Sequence, residues 1–374
     1  MDFAFTDEQL EIAALARRIL ADKATPDRLR EIEAGTDRFD PELWRTLADA
    51  DLLGIALPAE SGGGGFGFIE QCLVLEELGR RLAPVPVLPA IVGAAAPIAR
   101  YGTAAQRDTW VRPAIEGRAV LTAALAESHN PDAAAPATTA TPDGDGYRLH
   151  GIKTAVPAGP IADLFVVPAR VEPGQVACFL VEKGTPGMTV TRQVTTNRDS
   201  VAQLVLDQAP VPAAAVLGSE AAGADILRRI VEHVTAAWCA FQLGVVEQAL
   251  ADTAEYTKTR VQFERPIATF QAVGHRCADS YIDTEAARLT LWQAAWRLSE
   301  GRPATTEVEV AKFWAAEAGH RVAHAAVHLH GGMGVANEHT IHRYFIWAKQ
   351  IEFMLGGATQ QLQRLGATLA AEPA

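Results

Sequence analysis

The stretch TRVQFERPIATFQAVGHRCAD, Thr259–Asp279, lies between two long segments whose composition favours helix. No proline occurs in residues 213–265 or in residues 304–372. Because a proline inside a helix costs about 3 kcal/mol, these gaps permit unusually long helices. The predicted helices are Ala224–Arg260, Phe270–Glu300, Thr306–His330 and Ile341–Leu369. Their lengths and connections indicate a four-helix bundle over residues 218–374.

The two regions before the bundle have different compositions. Residues 1–117 are predicted to be helical, with a capping box formed by Thr6 and Gln9 ahead of an amphipathic run. Residues 118–217 contain frequent prolines and short β-rich runs such as VACFLVEKG, which favour an antiparallel sheet or small barrel. The glycine loop Ser61–Gly67 is either a connector or a place where backbone approaches a ligand. The predicted fold is mainly α with a central β domain, in the order N-terminal helical domain, middle β domain, C-terminal four-helix bundle.

Composition and charge restrict the partners and the compartment. The 374 residues carry a formal net charge of −12 and show no basic stripe, which argues against a nucleic-acid partner. No run of about 18 uncharged apolar residues is present, so no membrane partner is predicted. The four cysteines are isolated in sequence, and the opening MDFAFTDEQ lacks the basic start of a secretory signal. We therefore expect a reduced, cytoplasmic protein.

Several of these stretches resemble one known family. They are the run quoted above, HLHGGMG from His328, and VEKGTPGMTV with LVLDQAPVPAAAVLG in the β domain. With LLGIALPAESGGGGFG and YGTAAQRDTWVRPAIEGR nearer the N-terminus, they resemble the acyl-CoA dehydrogenase family along essentially the whole chain. The most specific signal is R-x-x-F-x-x-P-[IL]-x-x-[FHY]-Q, which begins at Arg260. The HGG-x-G pattern alone would be weak.

The resemblance implies FAD as cofactor, a CoA thioester as substrate, a tetramer built on the C-terminal bundle and an electron-transferring flavoprotein as acceptor. FAD lies between subunits in such enzymes, and the counterpart of Arg260 reaches across to its diphosphate region, a role for which a guanidinium suits better than an ammonium. Phe263 and Gln271 match positions that help to hold the cofactor. A Gln often stands at the place of His328, where it can hydrogen-bond the adenosine or the backbone.

Two glycines complete the implied cofactor site. The counterparts of Gly331 and Gly332 let the backbone approach the adenosine portion of the partner's FAD, since a residue without Cβ permits the closest contact. The alternative is that Gly331–Gly334 only ends a helix and turns the chain.

The sequence departs from the family at the catalytic base. The resemblance implies α,β-dehydrogenation, in which a Glu carboxylate removes the proton from Cα while hydride leaves Cβ for the flavin. The Glu of most members falls here on Gly356, or on Leu355 if the gap is placed differently. The position used by other branches falls near Val234. The nearest acids, Glu352 and Glu232, are each a few residues away and are weak candidate substitutes.

The residues that would hold the flavin ring are also missing. Ala126 stands where the family has a hydroxyl residue, Ala155 where it has an aromatic one, and Pro157 where it has Thr. An alanine offers no ring to stack on the flavin, and proline has no N–H to donate. The sequence therefore loses the base and the flavin contacts together, while it keeps the residues that would reach a partner's FAD.

Three functions follow from this pattern. The first is a non-catalytic subunit that completes the FAD site of a catalytic acyl-CoA dehydrogenase paralogue, acting on a bulky, steroid-derived CoA thioester. The second is a self-sufficient homomeric enzyme that uses Glu352 or Glu232 as base. The third is a helical scaffold that binds no flavin. A metal site at His324 and His328, four residues apart on a helix, lacks an accompanying carboxylate pattern and is not predicted.

Overall fold

The computed structural model describes residues 4–172 and 174–371. The α-helices in chain order are α1 Asp7–Lys23, α2 Pro26–Glu33, α3 Pro41–Asp49, α4 Phe68–Arg81, α5 Ala96–Tyr101, α6 Ala104–Gln106, α7 Arg112–Ile115, α8 Gly223–Thr259, α9 Gln271–Ser299, α10 Thr305–His330, α11 Ile341–Phe353 and α12 Ala358–Ala371. The strands are β1 Leu121–Ala123, β2 Thr139–Asp143, β3 Gly146–Pro157, β4 Leu164–Glu172, β5 Gln175–Glu182, β6 Met188–Gln193, β7 Val201–Pro212, β8 Val261–Gln262 and β9 Arg265–Pro266. The predicted fold class, mainly α with a central β domain, is confirmed.

The residues group into two compact units. A helical unit comprises Met1–Arg28, Phe68–Ala83 and Thr235–Ala374. A mixed unit comprises Leu29–Gly67 and Pro84–Val234, and it contains the sheet.

Three of the predicted bundle helices are confirmed to within one residue at each end: α8, α9 and α10. The capping box at the start of α1 is also present, because Gln9 N–H donates to Thr6 Oγ1 at 3.3 Å and Thr6 N–H donates to Gln9 Oε1 at 3.0 Å. The absence of proline therefore predicted α8, α9 and α10 correctly, and the cap residues predicted the start of α1.

The prediction of one continuous last helix, Ile341–Leu369, is wrong. Residues 354–357 separate α11 from α12. Leu355 has φ +55° and Gly356 has φ +101°, so two consecutive residues lie in the left-handed region, which no right-handed helix can include. Gln361 Nε2 donates to the carbonyl oxygens of Leu355 at 3.0 Å and Gly356 at 3.2 Å, which satisfies backbone groups that the break leaves open.

Helices α4 and α8 of the helical unit pack backbone against backbone. A Cβ on Gly79 would lie 2.0 Å from the carbonyl oxygen of Phe241. A Cβ on Gly244 would lie 1.9 Å from the carbonyl oxygen of Glu76. Both glycines are therefore required for this crossing, since real Cβ atoms do not approach oxygen so closely.

The strands β1–β7 of the mixed unit form one sheet in the order β1-β4-β2-β3-β7-β6, with β5 on β4. Pairing is antiparallel except for β1 with β4 and β2 with β4. A buried apolar cluster covers one face and includes Leu149, Phe165, Phe179 and Leu204. The stretch DGDG, Asp143–Gly146, forms a hairpin turn, with β2 ending at Asp143 and β3 beginning at Gly146.

The glycine loop Ser61–Gly67 is explained by its own packing. A Cβ on Gly63 would lie 2.3 Å from the carbonyl oxygen of Leu57, and one on Gly64 would lie 2.9 Å from that of Ile55. Gly62 and Gly65 have positive φ angles. Of the two interpretations of this loop, the contacts therefore favour the connector.

One helical segment within the described residues, Glu220–Thr259, is long and apolar enough to cross a bilayer. The core helix of a water-soluble protein passes the same test, and 78% of its most apolar window is buried in the fold.

Candidate cofactor site

The Arg260 motif forms a tight hairpin directly after α8. Arg260 lies one residue beyond the helix and donates its N–H to the carbonyl of Tyr256 at 2.8 Å. Strands β8 and β9 then pair, and Phe263 and Glu264 occupy the turn with φ +52° and +65°. Two consecutive positive φ angles are the signature of a type I′ hairpin turn. The turn leaves Phe263 86% exposed and the Arg260 side chain on the surface.

The glycine motif forms a turn directly after α10. Gly331 has φ +62° and ψ −139°, a conformation that only glycine adopts readily. A Cβ on Gly334 would lie 2.5 Å from the carbonyl oxygen of Val327. A Cβ on Gly332 would meet nothing within 4 Å. Helix termination therefore explains Gly331 and packing explains Gly334, whereas no contact within the described residues requires a glycine at position 332.

A ring stack brings the two motifs together. The rings of Tyr256 and His330 are 4.2 Å apart between centroids, with an interplanar angle of 21°. Tyr256 lies four residues before Arg260, and His330 directly precedes Gly331. The hairpin and the glycine turn are therefore neighbours within the helical unit. Sequence analysis missed this contact, because nothing in a single sequence pairs residues 74 positions apart.

The remaining predicted cofactor residues are exposed. Gln271 begins α9, and its Nε2 lies 3.4 Å from His275 Nε2. His328 lies on the last turn of α10 with its side chain at the surface. In the described ranges, no three or more His, Cys, Asp or Glu side chains are placed to hold a metal ion.

A side chain at Gly356, the position that the resemblance assigns to the base, would be strained by the backbone conformation. A Cβ on Gly356 would lie 2.9 Å from Gln361 Nε2 and 3.1 Å from Gln360 Oε1, at a φ of +101°. Leu355, the other candidate position, has a carbonyl that accepts from Gln361 and from Arg364 Nη1 at 3.1 Å. The backbone here is held firmly, although neither residue carries an acid.

Both candidate substitute acids form ion pairs. Glu352 accepts from Lys349 Nζ at 2.5 Å, and His320 Nδ1 lies 3.4 Å from it. Glu232 is 7% exposed and pairs with Arg228 at 3.2 Å. Because α11 ends at Phe353, Glu352 and Gly356 do not lie on one continuous helix. Val234, the other family position for the base, is buried and apolar.

A buried lysine on α10 contacts the end of α11, directly before the break between α11 and α12. Lys312 on α10 is 0% exposed, and its Nζ donates to the carbonyl oxygens of Ile351 at 2.9 Å and Glu352 at 3.1 Å. Burial lowers the pKa of Lys312 to about 8. The ammonium group caps the C-terminal end of α11, where carbonyl oxygens have no partner within the helix.

The flavin-ring positions of the mixed unit carry other contacts. Ala155 has φ +48°, and its N–H donates to Gln193 Oε1 at 2.7 Å. The carbonyl of Pro157 accepts from Thr122 Oγ1 at 2.5 Å. The backbone N–H of Ala155, in this bulged part of β3, is therefore already bonded to the side chain of Gln193.

A buried ion pair supports the same part of the sheet. Lys153 Nζ lies 2.7 Å from Glu127 Oε1, and Glu127 also accepts from Thr138 and Asn130. Burial alone would raise the pKa of Glu127, but Lys153 and these hydrogen bonds together lower it to about 2. Sequence analysis missed this pair, because its members are 26 residues apart on separate segments.

Family models match nearly the whole chain. They are the acyl-CoA dehydrogenase N-terminal domain at residues 6–118, the middle domain at residues 123–209 and the C-terminal domain at residues 221–369. The chain belongs to the acyl-CoA dehydrogenase family. The acyl-CoA dehydrogenase FadE27 of Mycobacterium tuberculosis is 47% identical over the full length of both chains.

Two solved acyl-CoA dehydrogenase structures are similar to the chain throughout. The ChsE4-ChsE5 complex from Mycobacterium tuberculosis contains a chain that superposes with a TM-score of 0.95 at 48% identity, covering 100% of both chains. The steroid acyl-CoA dehydrogenase Tcur3481-Tcur3483 gives a TM-score of 0.91 at 46% identity, covering 97% of this chain and 98% of that one.

Membership of the acyl-CoA dehydrogenase family assigns FAD as the cofactor. The residues at the hairpin and the glycine turn fit part of such a group. Arg260 offers an exposed guanidinium for a diphosphate, and Gly332 offers backbone with open space beside it. The positions that would contact the flavin ring, by contrast, are Ala126, Ala155 and Pro157.

Proposed function

We propose that this chain is the non-catalytic subunit of a heteromeric acyl-CoA dehydrogenase and that it completes the FAD site of a catalytic paralogue. One observation carries the proposal. The Tyr256–His330 stack holds the Arg260 hairpin beside the glycine turn, while neither Leu355 nor Gly356 carries an acid. A chain that keeps the contacts to a partner's cofactor and lacks its own base suits a shared active site.

The surface of α9 supports a protein partner. Ile282 and Leu289 are 63% and 68% exposed and lie seven residues apart, hence on one face of the helix. Tyr281 and Trp296 add 59% and 37% exposed aromatic side chains to the same helix. Contiguous apolar surface of this kind usually marks a protein interface. We propose that the catalytic paralogue covers it.

The proposed substrate is a bulky CoA thioester with a steroid-derived acyl group. The support is the similarity to the steroid acyl-CoA dehydrogenase Tcur3481-Tcur3483, together with the small residues at the flavin positions of this chain. The partner would remove the Cα proton with its own carboxylate, and FAD would accept the hydride. We further propose a cytoplasmic location and an electron-transferring flavoprotein as the acceptor.

The decisive experiment is an absorbance spectrum of the purified chain, alone and after co-expression with a catalytic paralogue. The proposal expects a colourless protein alone and a yellow hetero-oligomer with fewer flavins than subunits. A yellow, active homo-oligomer with one FAD per chain would overturn it.

The homomeric alternative requires a free carboxylate near the flavin. Glu352 and Glu232 are both held in ion pairs, which disfavours either as a general base. If the homomeric reading were right, Glu352→Gln or Glu232→Gln would abolish turnover and leave FAD bound. A flavin-free scaffold would not explain why the Arg260 hairpin is exposed or why the space beside Gly332 is open.

A further inference from the structure

We infer that Tyr256 and His330 are positioning residues for the shared cofactor site: their stack fixes the Arg260 hairpin relative to the Gly331–Val335 turn. The inference rests on the proposed function and names two residues that it does not use directly. Neither residue is required to touch FAD. Each would act through the segment that follows it in the chain.

Each ring of the stack lies in the last turn of its helix. Tyr256 lies in the last turn of α8, and its carbonyl accepts the Arg260 N–H that opens the hairpin. His330 is the last residue of α10, and the glycine turn begins at the next position. A shift of either ring therefore moves one of the two segments that would meet the cofactor.

A third ring, that of His339, follows the glycine turn in sequence and lies near the stack. His339 lies 5.0 Å from His330 and 6.4 Å from Tyr256 between centroids. His339 follows the turn in sequence, whereas His330 precedes it. Rings on both sides of the glycine turn are therefore near Tyr256, in the last turn of α8. Because glycines have little conformational preference of their own, these contacts restrict the turn at both ends.

The ring of His330 is held in a single orientation. It is 4% exposed, and its Nδ1 lies 2.8 Å from the carbonyl of Ala326, which can only accept, so Nδ1 carries the proton. Burial lowers the pKa of His330, which favours the neutral ring. Asp252, one turn before Tyr256 on α8, accepts from Gln248 at 2.7 Å, and its charge acts on the pKa of His330 in the direction opposite to burial.

The test uses the hetero-oligomer with the catalytic paralogue and measures the dissociation constant of FAD by flavin fluorescence. Tyr256→Ala and His330→Ala are expected to weaken FAD binding by roughly tenfold, since an aromatic pair holds its partners in one geometry. Tyr256→Phe keeps the ring and is expected to bind FAD like the wild type. Phe5→Ala is the matched control, because Phe5 and Trp292 form a ring pair elsewhere in the helical unit, 4.9 Å apart.

A second measurement uses the chain alone, so that it does not depend on a bound cofactor. Trypsin should cut after Arg260 faster in Tyr256→Ala and His330→Ala than in the wild type or Phe5→Ala. If Tyr256→Ala fails to fold, Tyr256→Leu keeps most of the side-chain volume without the ring and serves in both assays.

The outcomes separate this inference from the proposed function. Weaker FAD binding and faster hairpin cleavage in the two stack variants, with Tyr256→Phe and Phe5→Ala unchanged, support the inference. Unchanged FAD affinity in the stack variants overturns it and leaves the proposed function standing. If Arg260→Gln in this chain also leaves the FAD affinity of the hetero-oligomer unchanged, both the inference and the proposed function are overturned.

Discussion

The ammonium group of Lys312 donates to the carbonyl oxygen of Ile351 at 2.9 Å, with no part of the lysine side chain exposed. This bond ties α10 to the end of α11, directly before the break that carries Leu355 and Gly356. The resemblance places the base of most acyl-CoA dehydrogenases at this break, where this chain has Leu355 and Gly356. The buried ammonium group therefore supports the backbone directly before the position expected for the base.

Lys312 predicts a specific pH dependence of stability. Its pKa is lowered from 10.5 to about 8 in the folded chain, so the unfolded state binds more protons between these values. The free energy of unfolding should therefore rise with pH from about 8 to 10.5, by at most about 3 kcal/mol. Urea titrations across this range should show the rise in the wild type and not in Lys312→Met. Equal slopes in both proteins would contradict the assignment.

Glu127 predicts the opposite behaviour in acid. Its pKa is lowered from 4.5 to about 2, so its contribution to stability is complete above about 4.5 and is lost as the pH falls toward 2. Glu127→Gln should remove this acid-dependent part and also destabilise the chain at neutral pH by about 3–5 kcal/mol, because Lys153 stays buried without its partner.

A double variant controls for the buried charge. Glu127→Gln with Lys153→Met should recover a large part of the loss at neutral pH, as measured by urea unfolding. If the double variant is as unstable as the sum of the two single ones, the two side chains do not act as a pair.

The close crossing of α4 and α8 predicts that a side chain at Gly79 destabilises the chain, whereas one at Gly366, outside the crossing, does not. Gly79→Ala places a Cβ 2.0 Å from the carbonyl oxygen of Phe241 and should destabilise the chain by about 1–3 kcal/mol or more. Gly366→Ala on α12 meets nothing within 4 Å and should be neutral or stabilising by up to about 1 kcal/mol. Thermal unfolding of the two variants compares them directly, and a stable Gly79→Ala would refute the close crossing.

The glycine turn predicts a separation of folding from cofactor binding. Gly334→Ala should lower the melting temperature, because its Cβ would lie 2.5 Å from the carbonyl oxygen of Val327. Gly332→Ala should leave the melting temperature unchanged, since its Cβ meets nothing in the described chain, yet should weaken FAD binding in the hetero-oligomer. FAD affinity equal to wild type in Gly332→Ala would show that the cofactor does not approach this backbone.

Part of this fold could be read from the sequence. Long proline-free segments predicted the existence of α8, α9 and α10, because proline is the strongest local breaker of a helix. The break at residues 354–357 was missed because the absence of proline permits a continuous helix, although a Gly–Gly pair such as Gly356–Gly357 marks turns and loops. The positive φ angles of Phe263 and Glu264 were also missed, because the hairpin that imposes them depends on tertiary context.

The candidate site was predicted less completely than the fold. Its exposed members, such as Arg260 and Gly332, stand in a specific motif and could be named by resemblance. The residues that we infer to hold the site, Tyr256, His330 and Lys312, are half-buried or buried, and their partners lie far away in sequence. Single-sequence periodicity does not report such pairs.

The central claim is that this chain supplies Arg260 to a cofactor bound by its partner. The most direct test is the dissociation constant of FAD from the hetero-oligomer that carries Arg260→Gln in this chain alone. Arg18→Gln, which changes an exposed arginine on α1, is the control. The account predicts that Arg260→Gln weakens FAD binding by roughly tenfold or more, since a hydrogen bond between charged groups is lost, and that Arg18→Gln has no effect. Equal FAD affinity in the wild type and Arg260→Gln would contradict it.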